Sequence, residues 1–308
     1  MNQKPDKDAP YKVSRKEIRA LIDRYRVTDG KKFRLKDHDP GDTGGHQMSK
    51  GQAQDLLETG TATLAAHQEK LYAQDRWSML CVFQAMDAAG KDGTIKHVMS
   101  GVNPQGVQVT SFKAPGPEDL DHDFLWRIWR ALPERGRIGI FNRSHYEEVL
   151  VVRVHPKILD KQRLPTELVG KRIWKERLES IAAMEEYLAR QGTVILKFFL
   201  HLSKDEQKKR FLARLDEPEK NWKFSASDLA ERAYWDDYMT AYEETIAATA
   251  TPEAPWFVVP ADNKWFTRLV VVAAMNEALN RLDLAFPEVT NEQRAALAAA
   301  RTKLESEH

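Results

Sequence analysis

Five short apolar runs, "WSMLCVF", "GVQVTSF", "RIGIF", "TVILKFFLHL" and "WFVVP", recur along the chain with helical patterns between them. Apolar runs with so little polar alternation read as strands buried on both faces, and helix-length connections are what parallel pairing requires. The expectation is an α/β fold: a parallel five-stranded sheet with helices on both faces. Between the runs, "PEDLDHDFLWRIWRAL" places Leu120, Phe124, Ile128 and Leu132 four apart behind Pro117, which predicts one helix. In "GKRIWKERLESIAAMEEYLARQG", Trp174, Leu178, Ile181 and Leu188 share a face and Gly192 terminates it. Sheets of this kind bind ligands beyond the C-terminal ends of their strands, so those ends are where polar residues are informative.

The flanks divide into an arm over residues 1–50, a main domain over 51–286 and a helical tail over 287–308. The arm contains the amphipathic "SRKEIRALIDRYRV" and is expected to wrap a neighbouring core or subunit; the tail begins a helix at Thr290 and Asn291. Lys and Arg nearly balance Asp and Glu, for a net charge of +1, which argues against a nucleic-acid coat or a membrane-surface binder. The lone Cys81 precludes an internal disulfide and suggests a reducing compartment. The polar N-terminus does not read as a secretory signal, and the most apolar stretch, 269–275, is far shorter than the ~20 residues of a bilayer span. A soluble, cytoplasmic protein is expected.

The most specific local feature is "CVFQAMDAAGKDGTIKHVMSG": a strand, a small-residue turn, a lysine and a helix closed by Gly101. Gly90 and Lys91 match the end of the phosphate-loop pattern, Ala85 takes its opening small position, and Asp92 stands where a hydroxyl is usual. Small residues at Ala88, Ala89 and Gly90 allow backbone N–H groups to converge on an anion, and Asp92, Gly93 and Thr94 continue that surface at the helix start. Lys91 supplies a point charge for phosphoryl oxygens. The missing hydroxyl ordinarily ligates Mg²⁺, and a carboxylate beside phosphates is repelled unless a cation bridges them. Asp87 is therefore the natural Mg²⁺ ligand. Asp92 carries no assigned role beyond a favourable position at a helix N-terminus.

Two further runs carry polar groups at comparable places. In "RIGIFNRSHYEEVLVVRVHP" a strand ends at Asn142, Arg143 and Ser144, with Glu147 and Glu148 following. Arg143 offers a planar fork for phosphate oxygens. Lys113 ends the preceding strand in "SFKAPG". In "LSKDEQKKRFLARLDEPEKNWKFSASDL", Ser203 and Glu206 have capping-box spacing, Arg210 and Arg214 share a helix face, and Lys220 and Lys223 lie in the loop beyond. Cations so placed suit a lid that closes over a transferring phosphoryl group. A second basic run, 157–177, is expected to be mostly solvated, with some members free to track a long anion.

Taken together, "MDAAGKDGT", "SFKAPG", "FNRSHYEEVLVVRVHP" and "EKNWKFSASDLAERAYWDDY" resemble the type-2 polyphosphate kinase family over about residues 52–284. The resemblance implies a thymidylate-kinase-like phosphate-loop fold with a helical lid, here about 203–235, and assembly as a homodimer or homotetramer. It implies Mg²⁺-dependent transfer from inorganic polyphosphate to ADP and AMP. Asp87, Lys91, Arg143, Glu147 and Arg210 would be catalytic. Ala88 to Thr94 with Arg214, Lys220 and Lys223 would bind phosphate, and Lys113, Asn142, Arg143 and Glu147 would bind nucleotide. Asn142 departs from the Asp of many members, which puts in doubt a metal role there. Glu147 stands where others carry Asn, and the Asn-Arg-Ser-His-Tyr-Glu run resembles the subgroup that accepts AMP as well as ADP. Base preference, adenine or guanine, is not legible. An ATP-dependent nucleoside monophosphate kinase and a non-catalytic polyphosphate- or nucleotide-binding protein remain open alternatives.

Overall fold

The structure, a computed structural model, describes residues 14–45 and 48–307. Among the described residues six strands form one sheet: β1 (Arg26–Val27), β2 (Ser78–Ala85), β3 (Val107–Ser111), β4 (Ile138–Asn142), β5 (Thr193–His201) and β6 (Trp256–Pro260). Their order is β1-β6-β5-β2-β4-β3. All five apolar runs are strands, mutually parallel, and the sheet differs from expectation by a sixth. The two-residue β1 pairs antiparallel with β6, Arg26 opposite Phe257, and so covers that edge. Two residues are too few to show any periodicity, which is why the strand is invisible in the sequence.

Alternation along the strands builds two apolar layers. Met79, Cys81 and Phe83 of β2 face one layer, with Phe198 and Leu200 of β5, while Leu80 and Val82 face the other, with Ile195 and Phe199. The first is closed by Leu64 and Leu71 of the helix Lys50–Gln74 and by Phe266, Val270 and Met275 of the helix Lys264–Asn280. The second is closed by Leu178, Ile181 and Leu188 of Ile173–Arg190 and by Tyr242 and Ile246 of Trp235–Thr249. Cys81 is a fully buried hydrophobe and burial pushes its thiol far up, so it is no nucleophile.

Two local expectations are changed, and one is made specific. The segment after Pro117 is not one helix but two short ones, Pro117–Leu120 and Trp126–Ala131, separated by a turn in which Asp123 Oδ1 accepts from Leu125 N–H (2.9 Å). The described part of the arm packs on this chain's own sheet: Ser14 caps the helix Arg15–Tyr25, and Ile22 and Tyr25 are buried in the first layer. Within the basic run, Arg177 is buried with Glu148 (2.6 Å) and so neither solvated nor available to an anion. The tail helix Asn291–Glu305, capped by Thr290, buries no residue. No helix among the described residues is long and apolar enough to cross a membrane.

Candidate active site

The loop between β2 and the helix Lys91–Val98 lies at the C-terminal edge of the central strands, where polar ends gather. Gly90 is the helix N-cap with φ +98°, a conformation a Cβ would strain, and Ala88 also turns left-handed at +62°. Gly90 offers no side-chain cap, so the first amides of the helix, at Lys91, Asp92 and Gly93, keep the orphan donors that bind anions; Thr94 N–H already returns to Gly90 O (2.9 Å). The Ala89 N–H is likewise committed, to Met86 O (3.2 Å), so Ala89 shapes the turn and leaves anion contact to its neighbours. Lys91 Nζ donates to Ala85 O (2.9 Å), and burial, then the nearby Arg143, lower its pKa.

Arg210 brings the helix Lys204–Asp216 onto this loop. Its Nη1 donates to Ala88 O and Ala89 O (both 3.0 Å), Nη2 to Ala261 O (2.7 Å) and Asp262 O (3.0 Å), and Nε to Glu206 Oε1 (2.9 Å). A guanidinium has five N–H groups, and all are directed at protein acceptors. Arg210, expected to be catalytic as a lid cation, serves in this structure as a buried strut between the loop and the end of β6.

The second motif stands opposite. Arg143 follows β4 with φ +62°, its N–H bonded to Phe83 O (3.1 Å). Its guanidinium lies 3.6 Å from Asp87 Oδ1 and 3.5 Å from Glu147 Oε2. Burial raises the Glu147 pKa, opposed by the Arg143 and Lys91 charges. Asn142 Nδ2 donates to Asp92 Oδ1 (2.6 Å), so Asp92 ties the loop helix to the end of β4. Glu148 faces away, held by Arg177 and Gln162.

Two cavities meet at Asp87 and Arg143. The larger, about 930 Å³, is lined by Ala88 to Thr94, by Lys113 and Asn142, and by Arg210, Arg214 and Lys220. Lys264 and Arg268 line it too. Sequence reading missed both, because isolated cations near a helix start look solvated until β6 brings them beside the loop. The smaller, about 240 Å³, is lined by Glu147, Leu150, Val151, Glu231, Tyr238 and Tyr242. Asp87, Arg143 and Asp228 border both. Asp228 was also missed; burial and then the nearby Asp87 raise its pKa, and it pairs with Arg214 (3.4 Å). The residues expected to bind nucleotide are thus divided: Lys113 and Asn142 line the large cavity, Glu147 the small one, and Arg143 both. Lys220 pairs with Glu217. The Lys223 side chain lies outside the described part of the chain.

Among the described residues no three His, Cys, Asp or Glu side chains form a metal-binding group. In a phosphate site a divalent cation needs only one or two carboxylates from the protein, because phosphate oxygens and water complete its shell. Asp87 and Asp228, at the junction, are carboxylates that fit.

An anion-binding strand–loop–helix turn, a cation-lined cavity and a carboxylate–guanidinium junction define a phosphate-handling α/β protein. A profile of the family described as Polyphosphate kinase 2 (PPK2) matches residues 47–287. The chain is 53% identical over 281 residues to the ADP-polyphosphate phosphotransferase of Rhodopseudomonas palustris, covering 91% of this chain and 97% of that one. It is 45% identical over 265 residues to the AMP/ADP-polyphosphate phosphotransferase of Meiothermus ruber, covering 86% and 95%. The crystal structure of polyphosphate kinase 2 from Arthrobacter aurescens superposes with a TM-score of 0.82 at 43% identity, over 91% of this chain and 96% of that one. This chain belongs to the polyphosphate kinase 2 family.

Proposed function

We propose that the protein transfers the terminal phosphoryl group of inorganic polyphosphate to ADP and to AMP, on a phosphate-loop kinase fold whose lid is the segment 203–235. The observation that carries the reading is that Asp87 and Arg143 border two cavities of different chemistry. The large one is crowded with cations and suits a long polyanion. The small one, with Tyr238, Tyr242 and the carboxylates of Glu147 and Glu231, suits a base and ribose. In this arrangement Lys113 belongs to the donor side. The acceptor nucleoside lies beside Glu147.

The donor's last phosphates rest on the helix-start amides and against Lys91. Arg214, Lys220, Lys264 and Arg268 neutralise phosphates further along. Asp87 would hold Mg²⁺, with Asp228 beside it, and the ion would screen the repulsion between donor and acceptor phosphates. Arg143 reaches equatorial oxygens from the junction and stabilises their charge as transfer proceeds. The acceptor phosphate oxygen attacks phosphorus in line, and the shortened polyphosphate leaves with the electron pair of the broken anhydride bond. A nucleotide phosphate is already ionised near neutral pH, so no strong general base is required. Assembly as a homodimer or homotetramer is part of the same reading and is checked by light scattering.

The test is turnover of the purified chain with Mg²⁺ and long-chain polyphosphate, offering ADP and AMP separately. ATP from ADP and ADP from AMP support the proposal. Transfer from ATP to AMP with none from polyphosphate would replace it with an ordinary nucleotide kinase.

A further inference from the structure

Lys197 occupies a position that the strand pattern reserves for an apolar side chain. It lies between Ile195 and Phe199 on the face of β5 turned toward the second apolar layer, and it is 0% exposed. Nζ donates to Glu185 Oε2 (2.5 Å), Tyr146 Oη (3.1 Å) and Thr249 O (2.7 Å), so all three ammonium protons have acceptors. Glu185, 2% exposed, also accepts from Tyr146 O–H at Oε1 (2.7 Å), with His145 Nε2 at 3.4 Å. Burying such a pair is expensive, and apolar residues of similar volume often serve stability as well or better. A fold that needed only a core here has no use for it.

The network does hold one piece of backbone. Tyr146 and His145 sit in the 3-10 turn His145–Glu148, between Arg143 and Glu147. Buried Ser144 fixes the other side of that turn: its Oγ accepts from Tyr146 N–H (3.1 Å) and from Gln84 Nε2 (3.1 Å). Arg143 is left-handed at φ +62°, a conformation that persists only where its surroundings impose it. Its guanidinium and the Glu147 carboxylate project from the two ends of the same clamped turn.

We infer that the buried Lys197–Glu185–Tyr146 network is a positioning device for the reaction, locking the turn that aims Arg143 and Glu147 at the junction of the two cavities. These residues touch no substrate; they act through Arg143 and Glu147. The inference rests on the proposed phosphoryl transfer and adds residues that neither loop nor lid contains.

The test uses the full chain and compares wild type, Arg143→Ala, Tyr146→Phe and the triple variant Tyr146→Phe, Glu185→Leu, Lys197→Met. The triple removes the network without stranding the charge of either partner. Urea midpoints are measured alongside kcat and separate KM values for polyphosphate and ADP. Positioning predicts that the triple keeps or exceeds the wild-type midpoint while kcat falls about ten- to a hundred-fold, with KM for polyphosphate within about two-fold. Tyr146→Phe, which keeps the ring and the ion pair, loses kcat by a smaller factor in the same direction. If the triple does not fold, Tyr146→Phe alone decides. A folded triple, or Tyr146→Phe, with wild-type kcat overturns the inference, as does activity lost only in proportion to the unfolded fraction. A wild type that transfers nothing from polyphosphate overturns the proposed function, and this inference with it; a fully active wild type with an impaired Arg143→Ala isolates the network as the object of the test.

Discussion

Arg210→Lys separates two ways in which an arginine can matter to a phosphate site. In the structure its guanidinium serves the carbonyls of Ala88, Ala89, Ala261 and Asp262 and the Glu206 carboxylate. A lysine has three donors on a point-like head, so at least two of those acceptors lose their partner. A buried acceptor left unsatisfied costs about 1–3 kcal/mol, and water entering from the adjoining cavity recovers part of it. The expected loss is about 2–4 kcal/mol, which at a urea m-value of about 3 kcal/mol/M moves the midpoint down by roughly 1 M. Because the loop is loosened at two successive carbonyls, kcat falls too, by about tenfold or more. The assay is urea unfolding followed by fluorescence, paired with ATP formation from polyphosphate and ADP. An unchanged midpoint with lost kcat would overturn the bracing role, since it would make Arg210 a direct phosphate ligand whose contacts to the loop carry no stability.

His201 predicts an acid limit on stability: burial, then the nearby His38 charge, hold its pKa down at about 4. The unfolded chain, with a histidine near 6.5, takes up the proton more readily, so stability is lost as pH falls from about 6.5 to 4, by up to about 3 kcal/mol. Urea midpoints between pH 7 and 4.5 should fall more steeply for wild type than for His201→Gln, and parallel curves would remove His201 as the cause. Lys264→Ala should raise KM for long-chain polyphosphate several-fold, about 1 kcal/mol, and leave KM for ADP unchanged; an equal rise in both would take Lys264 off the donor path. Glu147→Asn should reduce AMP use more than ADP use in paired kcat/KM measurements, and equal effects would exclude it from acceptor choice.

How much of this was legible in the sequence depends on whether the controlling contact is local. Strands buried on both faces leave apolar runs such as "TVILKFFLHL" that are hard to mistake, and the turn from Ala85 to Lys91 advertises its geometry in small residues. The helix start at Thr290 follows from a cap bonded three residues away. The long-range partners were hidden. Nothing near Arg210 says that its acceptors lie about 120 residues back and 50 ahead. Nothing near Asp92 names Asn142, and Lys264, Arg268 and Asp228 become site residues only when three separate segments converge. Lys197 inside an apolar strand was the one visible anomaly that could have been followed.

If phosphoryl groups cross from one cavity to the other at Asp87, that carboxylate is where the reaction is most vulnerable. The decisive measurement is ³¹P NMR of the full chain with Mg²⁺, polyphosphate and ADP, comparing wild type with Asp87→Asn at matched urea midpoints. Wild type should show growing ATP resonances and a shortening polymer, and the variant a loss of rate by about a hundred-fold or more. Wild-type transfer by Asp87→Asn, or no ATP from polyphosphate with either protein, would contradict a crossing at Asp87.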